Sequence, residues 1–298
     1  MDAITPFRAD CLAGKRILVT GGGSGLGREL GRGFARHGAA VYLCGRREGL
    51  LNEAADDIAA TTGHRPVPIG CDLRSAPAID AMMDRIWADG PLTGLVNNAA
   101  ANFIAPTKNL TPRGYEAIRS TVMDGSFFAT LAAGKRWIDG GHKGSVVSNL
   151  VTWVWTGSAF VVPAAMAKTA IHAMTMSLAV EWARYGIRLN AVAPGPFPTE
   201  SAWEKLNPIP DTSVGATQSS TVPMRRYGQI SELQNLMIFL MADGADYLTG
   251  QTIGIDGGHH LAAPSTFADL SDLTDEQWDK ARAAIAAASE RDKQQRTV

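Results

Sequence analysis

The sequence predicts an α/β fold, a doubly wound parallel sheet of seven strands in a single domain with a C-terminal helical tail, and two patterns carry that prediction. From Lys15 to about Gly258, short apolar runs alternate with longer segments of helical period, as in βαβ units whose sheet is covered on both faces. The first run, Ile17-Leu18-Val19, leads into Thr20-Gly21-Gly22-Gly23-Ser24-Gly25-Leu26-Gly27 and then a helical pattern. A buried strand therefore ends in bare backbone aimed at a helix N-terminus.

The elements follow in order. Leu26, Leu30 and Phe34 repeat at helical spacing, and residues 41–44 form the second apolar run. Leu51, Ala54, Ala55 and Ile58 mark the next helix, residues 67–71 the third strand, and Ile79, Met82, Met83 and Ile86 a third helix. Residues 94–97 are strand four. Thr111-Pro112 reads as an N-cap followed by proline at the first helical position, opening one long helix through Tyr115, Ile118, Val122 and Phe127 toward Trp137. Residues 145–150 are strand five, 164–184 a helix, and 187–192 strand six. Ser231 caps a helix through Leu236 and Phe239, and residues 252–255 supply strand seven. The expected organisation is an N-terminal extension at 1–14, a dinucleotide-binding domain at 15–263 with a proline-rich, polar substrate lid at 194–230, and a helical tail at 264–298.

Composition excludes several functions. A net charge of −1 over 298 residues gives no basic patch for nucleic acid, and no stretch approaches the length of a membrane span. Cys11, Cys44 and Cys71 lack metal or redox spacing, none of the six histidines has a partner at ligand spacing, and residues 1–14 hold no signal-peptide core. A soluble cytoplasmic protein without disulfides or metal is expected.

The glycine loop is a phosphate cradle: glycine lets the backbone approach an anion closely, and the first helical turn supplies unpaired N–H groups. Its spacing, Gly-x-x-x-Gly-x-Gly at Gly21, Gly25 and Gly27, lacks the Gly-Lys-Ser/Thr ending of an ATP-binding loop, so a dinucleotide is expected. After strand two, where an NAD site wants a carboxylate for the ribose hydroxyls, stands Gly45, followed by Arg46. A guanidinium suits a 2′-phosphate, so NADP(H) is the expected cofactor.

Four further features fall at the carboxyl ends of strands: Asp72, Asn97-Asn98-Ala99-Ala100, Lys168, and Pro194-Gly195 with Thr199. With residues 20–27 they resemble the short-chain dehydrogenase/reductase superfamily over almost the whole chain, a Rossmann-type fold. The resemblance implies a cofactor site of Thr20, Gly21, Gly23, Ser24, Gly25, Leu26, Gly27, Arg46, Asp72, Leu73, Asn98, Ala99, Ala100, Lys168, Pro194, Gly195 and Thr199. Within it, Asp72 would accept from the adenine amino group, Asn98 would support the adenosine side, Lys168 would bind the nicotinamide ribose and Thr199 would hold the carboxamide. It further implies a homotetramer.

The catalytic positions depart from that superfamily. Its usual tyrosine, one helical turn before the lysine, is here Ala164, and its usual serine falls at or near Val151, with Thr152 the nearest hydroxyl. Alanine and valine shuttle no protons, so ordinary ketone reduction loses its acid–base group. Gly157-Ser158-Ala159-Phe160-Val161-Val162-Pro163, Ala179-Val180-Glu181-Trp182, the run 97–103 and Leu273-Thr274-Asp275-Glu276-Gln277-Trp278 resemble the 2,4-dienoyl-CoA reductases, which lack that tyrosine. In that family hydride reaches the far end of a conjugated thioester, a dienolate is stabilised at its oxygen, and a proton is added to carbon. Asn102 matches the family's oxyanion donor. A tyrosine and a serine of the mitochondrial-type enzymes are replaced by Trp153 and Ala164, while Asp124 resembles the peroxisomal type. Asp124 with Lys168 and water relays the final proton or forms a structural salt bridge with that lysine. Trp153 and Trp155, two apart in an extended segment, face one side and wall an acyl chain or pack a core.

The expected catalytic residues are thus Lys168, Asn102 and Asp124, and the expected substrate pocket Asn102, Phe103, Trp153, Ala164 and Trp203. The activity so implied is NADPH-dependent reduction of a 2,4-dienoyl or related enoyl thioester of coenzyme A. The alternatives are an oxidoreductase acting on another conjugated or carbonyl compound, and a cofactor-binding sensor or scaffold without turnover.

Overall fold

The computed structural model of the chain describes residues 5–102, 104–199, 219–262, 273–277, 279–280 and 283. Seven parallel strands form one sheet in the order β3-β2-β1-β4-β5-β6-β7. They are β1 Arg16–Thr20, β2 Ala40–Gly45, β3 Val67–Gly70, β4 Gly94–Asn97, β5 Gly144–Asn149, β6 Ile187–Pro194 and β7 Thr252–Ile255. The order reverses between β1 and β4, which pair from Ile17 with Gly94 to Val19 with Val96, so the connections leave in opposite directions and a crevice opens at the carboxyl ends.

Burial on both faces explains the continuous apolar strands. Ile17 and Val19 of β1 enter one core with Leu30 and Phe34 of α1 (Gly25–Arg36), and Leu18 enters the other with Met83, Trp137 and Trp182. Helices α2 (Glu48–Thr62) and α3 (Ala76–Asp89) follow β2 and β3. A third, smaller cluster joins Ile118, Val122, Leu150, Ala164, Ala167 and Ile171 beside the crevice.

Three elements differ from the sequence reading. The long helix after Thr111 is α4 (Pro112–Ile118), a π-helical turn at Arg119–Asp124, and α5 (Gly125–Gly140). The segment after β5 coils into α6 (Trp153–Thr156), which precedes α7 (Val162–Trp182). The helix of residues 230–241, α8 (Ile230–Met241), is capped by Gln229, not Ser231: the Glu232 carboxylate accepts from the Gln229 N–H at 2.8 Å, closing a capping box.

The chain divides into two compact units, 1–260 and 261–298. In the second, the Thr274 N–H donates to Gln277 Oε1 at 2.8 Å and the Gln277 N–H to Thr274 Oγ1 at 3.3 Å, a reciprocal cap opening a helical turn. Cys11, Cys44 and Cys71 are free thiols. Among the described residues no helix is long and apolar enough to cross a membrane, and no three His, Cys, Asp or Glu side chains are placed to hold a metal.

Candidate active site

A cavity of about 730 Å³ occupies the crevice at the switch point. One end is the glycine loop: Gly21, Gly23, Ser24, Gly25, Leu26 and Gly27 line it as the chain turns from β1 into α1. Gly21 holds φ +68°, and a Cβ there would lie 2.9 Å from the Ala99 Cα. A Cβ on Gly27 would meet the Gly21 carbonyl and lie 2.5 Å from Asn98 Nδ2. Both glycines keep backbone close to backbone, which leaves the N-terminal N–H groups of α1 open to an anion.

Thr20 stands behind this wall. Its Oγ1 donates to the Val96 carbonyl at 3.2 Å and accepts from the N–H groups of Asn98 at 2.9 Å and Ala99 at 3.0 Å. Thr20 thus clamps β1 to β4. Asn98 Nδ2 donates to the Thr20 carbonyl at 3.0 Å, Asn149 Nδ2 donates to Asn98 Oδ1 at 2.9 Å, and the Lys168 ammonium donates to the Asn149 carbonyl. One hydrogen-bonded chain fixes the ends of β1, β4 and β5 and the face of α7.

Arg46 and Asp72, with Arg47, Cys71 and Leu73, line the adenosine end. The Arg74 guanidinium, bonded to the Asp72 carboxylate at 2.6 Å, holds that carboxyl below its ordinary range, and Arg46 adds to the effect. Arg28 is turned to Glu29 at 3.2 Å. Ala99, Ala100 and Thr199 also line the cavity. Pro194 and Gly195 are not in its lining: they end β6, where Pro194 is in register with Ile255 and the Gly195 N–H donates to the Ile255 carbonyl at 3.0 Å.

At the other end stand Asn102, Trp153, Ala164 and Lys168, joined by Ile104, Thr121, Val122, Leu150 and Val151. Lys168 is 8% exposed, and burial lowers its pKa from 10.5 to about 8. Among the described residues no carboxylate pairs with it. Asp124, expected opposite Lys168, is instead bonded to Arg119 at 2.7 Å and is absent from the cavity lining. Asn102 Oδ1 is sealed from solvent without a partner, whereas its amide nitrogen is not sealed.

The common-face reading of the two tryptophans is corrected. Residues two apart on a helix point to opposite sides, so within α6 Trp153 enters the cavity and Trp155 leaves it to stack on His260, ring centroids 4.6 Å apart. Phe103, residues 200–218 with Trp203, and most of the expected tail lie outside the described residues.

Sequence reasoning missed Asn149 and Thr121. Asn149 ends β5 as Asn97 ends β4, a polar residue at a strand's carboxyl end that the same rule would have singled out. Thr121 gave no such signal, since a threonine within a helical pattern is not distinctive by itself.

Residues 21–260 match the family model described as enoyl-(acyl carrier protein) reductase. A probable 2,4-dienoyl-CoA reductase of Bacillus subtilis, named as producing a (2E)-enoyl-CoA, is 37% identical over 83% of this chain and 97% of its own. One of Caenorhabditis elegans, named as producing a (3E)-enoyl-CoA, is 35% identical over 96% and 94%. The solved gluconate 5-dehydrogenase of Burkholderia cenocepacia, in complex with NADP and tartrate, superposes with a TM-score of 0.76 at 30% identity, covering 84% of this chain and 97% of that one.

Proposed function

The chain belongs to the short-chain dehydrogenase/reductase family of oxidoreductases, and on that premise we propose that it reduces a 2,4-dienoyl-CoA or related enoyl thioester with NADPH. The observation that carries this reading is the composition of the cavity's substrate end. Ala164 stands one helical turn before the buried Lys168, and Val151 stands near the expected serine position. Neither side chain moves a proton, so the wall suits a reaction in which the acceptor of hydride is carbon and the oxygen needs only hydrogen-bond donors. The cradle at Gly21 and Gly27, where a Cβ would intrude, fits a pyrophosphate, and Arg46 and Arg47 at the adenosine end favour a 2′-phosphate over bare hydroxyls.

When bound, NADPH supplies a hydride, two electrons and a proton's mass in one transfer. Asn102 orients the thioester by donating its amide N–H to the carbonyl oxygen, where negative charge collects as C5 gains the hydride. Trp153 and Leu150 exclude water from the acyl chain. Lys168, protonated below about pH 8, supplies through water the one proton that completes the balance of dienoyl thioester, hydride and proton to enoyl thioester. Protonation at C2 gives the 3-enoyl product and at C4 the 2-enoyl product, the two outcomes for which the relatives are named. The same proposal includes an acyl-CoA partner, a cytoplasmic setting, and a homotetramer favoured by the exposed Met166, Met176 and Val180 of α7.

NADPH consumption is expected with a 2,4-dienoyl-CoA and not with a 3-oxoacyl-CoA. Replacing Asn102 by alanine should lower kcat by roughly a hundredfold while leaving NADPH affinity unchanged. Turnover of the 3-oxoacyl thioester alone would assign the chain to carbonyl reduction, and tight NADPH binding without turnover on either thioester would make it a sensor.

A further inference from the structure

Val151 and Ala164 leave the substrate end without its usual hydroxyls, yet a hydroxyl residue stands in that wall beside Ile118 and Val122: Thr121, in the π-helical turn. Threonines inside helices commonly return their hydroxyl proton to a carbonyl one turn back. Thr61, Thr62, Thr169 and Thr175 all do so here, to Asp57, Ile58, Ala165 and Ile171 at 2.8–3.1 Å. Thr121 has no hydrogen-bond partner among the described residues. Its neighbour in the turn, Ser120, does return its hydroxyl to the Glu116 carbonyl four residues back, at 2.6 Å, whereas the Thr121 hydroxyl is left for the cavity that Thr121 lines.

The turn is held by its own ends. Arg119 and Asp124 are five apart and bonded at 2.7 Å. In an α-helix five residues advance about 140° beyond a full turn, so these side chains would diverge. In a π turn they stack. Glu116, at 2.7 Å, fixes the other side of the same guanidinium. The ion pair therefore holds the π form of the turn from which Thr121 lines the cavity.

We propose that Thr121 contacts substrate, its hydroxyl donating a second hydrogen bond to the thioester oxygen beside Asn102, and that Arg119 and Asp124 are positioning residues that hold the π turn. This rests on the thioester reading above. A hydroxyl with no competing protein acceptor is available for an oxygen that becomes negative during reduction. Asp124 thereby acts through geometry, with its charge spent on Arg119.

The test compares Thr121→Val, which keeps the shape and loses the hydroxyl, with Thr121→Ser, which keeps the hydroxyl. Thr121→Val should lower kcat/KM for 2,4-dienoyl-CoA by roughly tenfold or more, and Thr121→Ser by no more than about threefold. Calorimetry on the NADP⁺-loaded protein should show the same order for dienoyl-CoA affinity, with NADP⁺ affinity equal in all three. Arg119→Met should raise KM for the thioester and leave that for NADPH, and Arg119→Lys should recover it. An active wild type with Thr121→Val unchanged overturns the assignment and leaves the thioester reading standing. An unchanged KM in Arg119→Met overturns the positioning role. A wild type that turns over no conjugated thioester overturns both the reading and the assignment.

Discussion

Lys168 shows how a single buried charge couples function to stability. Its ammonium is held by the Asn149 carbonyl, with no carboxylate paired to it among the described residues, and burial lowers its pKa to about 8. Between pH 8 and 10.5 the unfolded chain binds the proton that the folded chain has released. Stability from this group therefore rises with pH across that window, and below about 8 the folded protein carries the full cost of the buried charge. In chemical denaturation of the cofactor-free protein, Lys168→Met should be more stable than wild type near pH 7 by up to about 3 kcal/mol. That difference should shrink toward pH 10.5, and a difference constant with pH would show the lysine to be solvated. Asn98 and Arg46 were legible because each follows a strand at the position a parallel sheet reserves for ligands, and Lys168, inside α7, was legible through the family resemblance. Asp124 was legible as a residue and not as a contact, since its partner depends on the local winding of the helix.

At the scale of elements, the glycine loop and α1 were readable because local chemistry dictates them. Gly27 lies inside α1, where alanine would ordinarily add up to about 1 kcal/mol of helix propensity. Here a Cβ collides with the Gly21 carbonyl and Asn98, backbone and clamp atoms that cannot turn aside. Gly27→Ala should therefore lower the thermal midpoint and weaken NADPH binding at least tenfold in fluorescence titration; a raised midpoint with normal binding would show that the loop is slack. The π turn at Arg119–Asp124 and the helical α6 were not readable. Apolar periodicity across one inserted residue still resembles an α-helix. Trp153 and Trp155 carry strand propensity that packing of Trp153 beside Leu150 and Ala164 overrides.

Across the whole molecule, the alternation of apolar and helical segments disclosed the seven strands, whereas their order, which reverses once between β1 and β4, is a finding of the structure. Because the cavity draws on β1, β2, β4, β5 and α7 together, a ligand that fills it binds only the assembled fold. NADPH at a hundred times its Kd should add about 2.7 kcal/mol, a rise of several degrees in the thermal midpoint. NADH at the same concentration should add less, and Arg46→Ala should erase the difference. Equal shifts from both cofactors in the wild type would remove the 2′-phosphate from the account. The order of the strands has one more consequence, in time. β4 pairs with β1 only across the intervening β2 and β3, beginning with Ile17 and Gly94, and Ser145 on β5 reaches its acceptor at Leu240 only 95 residues later. Pairings so distant in sequence are slow to close, so the crevice between β1 and β4 is expected to form late, and early protection of the β4 amides in pulse-labelled hydrogen exchange would contradict that order. A dinucleotide then acts as a latch, lengthening the life of the folded chain without hastening its birth.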